Sequence, residues 1–229
     1  MAVERAEQIT LPEDEPAVEK RPQTRLFDVD EYYRMAEVGI LKPDERVELI
    51  EGEIYLMSPI GSRHFSAVMR LTKLFVLRLV GLAEVSIQNP VRLRRRAEPE
   101  PDVAILRPRP KEARPYESTH PGPDDVLFLT EVAETSVAYD LGEKADLYAR
   151  YGIPELWVLD LPGDRLVIHR EPTATGYASV RELPRGGSIS PLAFPDVTFT
   201  ADELLGEAAA EATDAEDEAE TDAVAAGDQ

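Results

Sequence analysis

The segment Val126-Leu127-Phe128-Leu129-Thr130-Glu131-Val132 carries a single charge in an otherwise apolar run. A strand with one wet face would alternate apolar and polar residues, so this run predicts a β-strand covered on both faces. Such a strand needs helices packed above and below it, which restricts the chain to an α/β architecture. Glu155 to Asp160, centred on Leu156-Trp157-Val158-Leu159, predicts a second buried strand. Glu131 is then out of place, because ionised acids are seldom buried unless paired or bound to a metal. Its plainer reading is a strand-exit glutamate reaching solvent.

The remaining pattern supplies the layers. Asp28 and Glu31 form a capping-box start for a helix from about Asp28 to Val38, with Gly39 as its stop. Arg46 to Ile50 and Glu53 to Met57 flank Glu51-Gly52 and read as a tight hairpin. A long amphipathic helix is expected from about Ser62 to Val80. Val68, Leu71, Leu74, Phe75 and Leu79 form its packed side; Arg70, Lys73 and Arg78 form its wet side. Strands are expected at Glu84 to Gln88, Val91 to Arg95 and Asp102 to Leu106, with Arg107 to Asp125 as a loop. A further helix should start with Asp140 as N-cap and Glu143 at N3 and end at Gly152. Arg165 to His169 should pair with the Glu155 strand, and Tyr177 to Arg181 add an edge. The whole is a mixed sheet flanked by helices.

Three groups on these elements have the makings of a site. Asp102 follows Pro99-Glu100-Pro101 at a strand start, Glu131 ends the apolar run, and Lys144 lies in the next helix. Asp140, Lys144, Tyr148 and Tyr151 recur at spacings that put them on one helix face, so Lys144 can reach the strand ends if that face looks inward. The plainer readings are turn chemistry for Asp102 and an Asp140–Lys144 surface pair. In the hairpin, alternation sets Glu48 on the face of Ile50, where it points inward if that face is packed; a cross-strand ion pair is the alternative. His64, at the start of the long helix, could approach the same cleft or simply sit at the surface. Two carboxylates can hold a hard cation that polarises a phosphoryl oxygen and acidifies a water, and a nearby ammonium stabilises charge on phosphorus.

Composition narrows the choices. The chain has no cysteine, which excludes disulfides, thiolate metal sites and cysteine nucleophiles, and it has only three histidines. Any metal would be held by oxygen, favouring magnesium or manganese. The net charge is −20, of which the segment 207–229 supplies nine acids and no bases. Residues 1–24 and 207–229 are too polar to repay ordering and are expected to be disordered around one domain at 25–206. No signal-like or membrane-spanning stretch is evident, so a cytoplasmic protein without membrane contact is expected. An acidic body repels nucleic acid, but Arg92, Arg94, Arg95 and Arg96, with Arg107, Arg109, Lys111 and Arg114, flank Pro101-Asp102 and could steer phosphates. Otherwise they form a solvated edge and loop.

The order of an acid, Pro101-Asp102, Glu131 and a lysine resembles the PD-(D/E)XK nuclease superfamily. More closely, the chain resembles its Uma family of restriction-endonuclease-like proteins. The matching segments are Val47 to Ile54, Ser58-Pro59 with His64, Pro101-Asp102-Val103, Glu131 to Ser136, Asp140 to Tyr151, and Gly152-Ile153-Pro154 to Asp160. The superfamily lysine usually lies two residues after the acid, where this chain has Ala133; the Uma pattern moves it to the next helix, at Lys144. The resemblance implies a restriction-endonuclease-like fold with Asp102, Glu131 and the carbonyl of Val132 as metal ligands. It makes Lys144 the catalytic lysine and Glu48 an accessory acid, with His64 and Asp140 nearby. It also implies a magnesium-dependent endonuclease acting on DNA as a homodimer. A non-catalytic binding module, or an enzyme acting on RNA or another nucleotide, remains the alternative.

Overall fold

The computed structural model describes residues 23–109 and 116–206. The expected acidic tail, nearly all of the N-terminal segment, Lys111 and Arg114 lie outside the described residues.

At the centre is a six-stranded sheet. Its strands are β3 (Glu84–Ile87), β4 (Val103–Leu106), β5 (Val126–Ala133), β6 (Glu155–Asp160), β7 (Arg165–Thr173) and β8 (Gly176–Pro184), adjacent in that order. Only β5 and β6 run parallel; every other neighbour is antiparallel. Both are buried along their whole length, as their apolar runs require. Alternation sends Trp157 and Leu159 to one face of β6 and Leu156 and Val158 to the other.

The first face is covered by α2 (Ser62–Leu79) and the short α5 (Ala201–Leu205). Phe75, Phe128, Trp157 and Phe199 form an aromatic cluster there, with ring centroids 5.0 to 6.2 Å apart. Arg70 and Arg78 are not on the wet side of α2. Arg70 donates to the carbonyls of Leu204 and Leu205, closing the open end of α5, and Arg78 pairs with Glu203. The opposite face is covered by α3 (Val137–Leu141) and α4 (Glu143–Arg150), with Leu147, Tyr148 and Ile153 packed on Leu129, Leu156 and Val158.

Beside the sheet, α1 (Val29–Glu37) starts with the expected Asp28–Glu31 capping box. The hairpin of β1 (Val47–Ile50) and β2 (Glu53–Leu56) turns through Glu51 and Gly52, both at positive φ (51° and 88°). Glycine is needed at the second position twice over, because a Cβ there would lie 2.6 Å from that of Leu26.

Two expected elements differ. Val91 to Arg95 is not a strand of the sheet. The segment folds back on itself, with Val91 N–H donating to the Pro99 carbonyl and Leu93 N–H to that of Ala97. Val91 and Leu93 are buried, so the alternation came from packing under the hairpin and not from sheet pairing. Asp140 is not an N-cap either. Its N–H already bonds the Ser136 carbonyl inside α3, and the helical path breaks at Gly142, where α4 begins.

His169 on β7 is 4% exposed and, among the described residues, its Nδ1 has no partner. Burial holds its imidazole below the ordinary 6.5, against the opposing effect of backbone bonds to Leu156 and Val167. A base with a depressed folded pKa lets the unfolded chain take up the proton first. Stability should therefore be complete above pH 6.5 and fall as the pH drops below it. On going from about pH 7.5 to about pH 5.5, the urea midpoint of wild type should shift further towards instability than that of His169→Phe; equal shifts would place the acid sensitivity elsewhere.

Candidate active site

Antiparallel pairing of Val103 with Thr130 carries the residue before β4, Asp102, alongside Glu131. The two then interlock. Asp102 N–H donates to Glu131 Oε2 (3.3 Å), and Val132 N–H donates to Asp102 Oδ2 (2.8 Å). Asp102 Oδ2 also lies 3.1 Å from His64 Nε2, which α2 delivers from its first turn. Gln88, at the end of β3, donates to Asp102 Oδ1 (3.1 Å).

From α4, Lys144 places its ammonium 3.2 Å from Glu131 Oε1 and 3.5 Å from Glu48 Oε2. Tyr148, one turn further on, donates to Glu131 Oε1 at 2.6 Å. Glu48 reaches in from β1 and accepts from Glu100 N–H (3.2 Å). Asp140 is 5% exposed and accepts from Ser136 Oγ at 2.5 Å, its carboxyl still within electrostatic reach of Lys144. The Lys144, Glu48 and Glu131 side chains are each 4% exposed, whereas Asp102 and His64 reach 12% and 17%. The lysine end of the cluster is sealed and the Asp102–His64 end opens outward.

The charge states follow from this enclosure. Burial pushes Glu131 up to about 8 against the pull of Lys144, with Asp102 and Asp140 adding to the rise. Burial alone would lower Lys144, but Glu131, Glu48, Asp140 and Asp102 outweigh it and keep the ammonium charged well above its usual range. Burial also works to raise Asp102, yet the hydrogen bond and charge of His64 and the Val132 N–H hold it below the ordinary carboxylate value. Burial raises Asp140, and the Asp102 bond raises His64.

Glu48, Glu100, Asp102, Glu131, Glu134 and Asp140 thus share a cleft of about 450 Å³ with, among the described residues, Lys144, Arg46 and His64 to offset them. That surplus of carboxylate suits an oxygen-bound divalent cation. Among the described residues no three His, Asp or Glu side chains converge as a ready ligand set. The donors to hand are two carboxylates and the main chain, a set that fits an ion keeping several of its waters, as magnesium does.

Of the residues singled out in the sequence, Glu48, His64, Asp102, Glu131, Val132, Asp140 and Lys144 line this one cleft. Arg92, Arg94, Arg95 and Arg96 do not. Arg92 pairs with Glu98 (2.5 Å) and lies over the Tyr33 ring, and Arg95 pairs with Asp28 (2.7 Å). Gln88, Glu100, Arg46 and Tyr139 join the site without having been anticipated. Tyr148 was visible only as a neighbour of Lys144 on a helix face.

The comparisons with known proteins agree with this architecture. Residues 29–202 match the model of a family described as "Uma2: Putative restriction endonuclease". Among solved structures, the fold is similar to one described as a "putative nuclease belonging to DUF820" from Anabaena variabilis ATCC 29413. The TM-score is 0.57 at 12% identity, covering 78% of this chain and 97% of that one. No curated protein matches the chain. Among the described residues no helix is long and apolar enough to cross a membrane.

Proposed function

The chain belongs to the Uma2 family, and from that footing we propose that it is a metal-dependent endonuclease hydrolysing phosphodiester bonds in DNA. The observation that carries this reading is the meeting of Glu48, Asp102, Glu131 and Lys144 from four separate segments in one cleft.

Asp102 and Glu131, with the carbonyl of Val132, would hold a magnesium or manganese ion. When bound, such an ion polarises the phosphoryl oxygen and acidifies a water. The protein supplies the rest. Lys144 contributes a fixed positive charge beside Glu131, where charge on the phosphoryl group builds up in the transition state. Glu48 is a second carboxylate holding that ammonium in place, and the Tyr148 hydroxyl holds the Glu131 carboxyl. His64 and Gln88 orient the two oxygens of Asp102, so the carboxylate is positioned before substrate arrives.

Glu131→Gln tests this directly, because it keeps the shape and removes only the carboxylate. Supercoiled plasmid should be nicked by the wild type in magnesium, stay intact in chelator, and be cut at least about 10²-fold more slowly by the variant. Full activity in Glu131→Gln would remove this cleft from the chemistry.

A further inference from the structure

The surroundings of the cleft carry information about which form of nucleic acid it takes. Proteins grip a duplex mainly through its phosphates, with lysine and arginine supplying most of the affinity. Around this cleft such groups are scarce. Lys144 is sealed at its floor, and among the described residues Arg46 is the one arginine lining it, with Nη1 donating to the Ser58 carbonyl at 3.2 Å. Glu134 adds negative charge at the mouth. Arg92 and Arg95 stand outside it, in ion pairs with Glu98 and Asp28.

What the cleft presents instead is apolar and aromatic. Leu56 is 78% exposed and Ile60 41%, and both line it. Tyr55 and Tyr139 stack with ring centroids 5.9 Å apart and planes at 26°, and both contribute to the wall. Large exposed apolar groups gathered at a polar cleft mark a binding surface. The outside of a duplex offers little to such a surface, because its base faces are hidden in the stack. An unpaired strand offers the faces themselves, and aromatic side chains bind them with little regard to sequence.

We propose that this cleft takes an unpaired nucleic-acid strand. A base would lie against the Tyr55–Tyr139 wall and the Leu56–Ile60 rim, with the adjoining phosphate directed to Asp102 and Glu131. The proposal rests on the phosphodiesterase reading and adds to it a choice of strand state.

The test is fluorescence anisotropy with the full chain carrying Glu131→Gln to prevent turnover. The probes are a short labelled oligothymidylate and the duplex it forms with oligoadenylate. The single strand should bind at least about tenfold more tightly than the duplex, and Tyr55→Leu should weaken it about fivefold or more. Leu56→Ser is expected to act in the same direction, and because Leu56 is exposed the change spares the core. Equal or tighter binding of the duplex would overturn the inference while leaving the nuclease reading intact. Unchanged strand binding in both variants, with Leu56→Ser dissolving a dimer seen in sedimentation, would also overturn it and assign the rim to a second copy of the chain. Failure of both probes to bind would take down the inference together with the reading beneath it.

Discussion

Replacing Lys144 with methionine should lower cleavage by about 10² to 10³-fold and cost about 3 kcal/mol of stability. The Lys144 side chain is 4% exposed and its ammonium lies 3.5 Å from Glu48 and 3.2 Å from Glu131, each equally enclosed, so its removal leaves buried carboxylates without their cation. Breaking one side of a buried ion pair is far costlier than never building it. One carboxyl has an escape, since Glu131 already holds its proton up to about 8. An acid with a raised folded pKa favours the folded state most below its unfolded value of 4.5, and that benefit is lost as the pH rises towards about 8. The deficit of the variant should therefore be largest at alkaline pH and shrink on acidification. Urea denaturation at two pH values checks this. Adding Glu48→Gln should recover part of the loss, because the two groups are coupled. A variant as stable as wild type at every pH would mean that the ammonium is not enclosed by these acids.

Trp157→Ala should be the most damaging change in the core, at about 3 to 5 kcal/mol. Trp157 is fully buried at the middle of β6 and touches Phe128, Phe199 and Phe75. Its indole N–H donates to Glu155 Oε1 (2.7 Å), a buried carboxylate that also receives Arg170 (2.6 Å). Alanine would open a cavity and leave part of that acid's bonding unmet. This approaches the whole stability of an ordinary domain. The site would suffer as well, because Trp157 pairs with Thr130, the residue before Glu131. Circular dichroism through a urea titration is the measurement. Trp157→Phe, which keeps most of the ring volume, should lose less than half as much.

Much of this architecture could be read from the chain because apolar patterning acts over short distances. The runs at Val126–Ala133 and Glu155–Asp160 have to be buried strands, and the alternation of Trp157 and Leu159 against Leu156 and Val158 assigns their faces. Glu131 stood out because it interrupts such a run. Neighbourhood in sequence misled where the chain reverses. Arg92 to Arg96 lie close to Asp102 along the chain, but the segment doubles back through the Arg94–Ala97 bridge, and these arginines fall outside the cleft. Gln88 and Glu100 gave no local signal at all. Each acts through a bond to a residue on another element, which only the register of β3 with β4 and the placement of β1 determine.

The most direct test of the metal-dependent reading is calorimetric titration of manganese and magnesium into the wild type and into Asp102→Ala, with DNA cleavage measured on the same samples. The account predicts saturable binding and metal-dependent cleavage in the wild type, both lost when Asp102 is removed. Cleavage that persists in Asp102→Ala, or a wild type that binds neither ion, would contradict it.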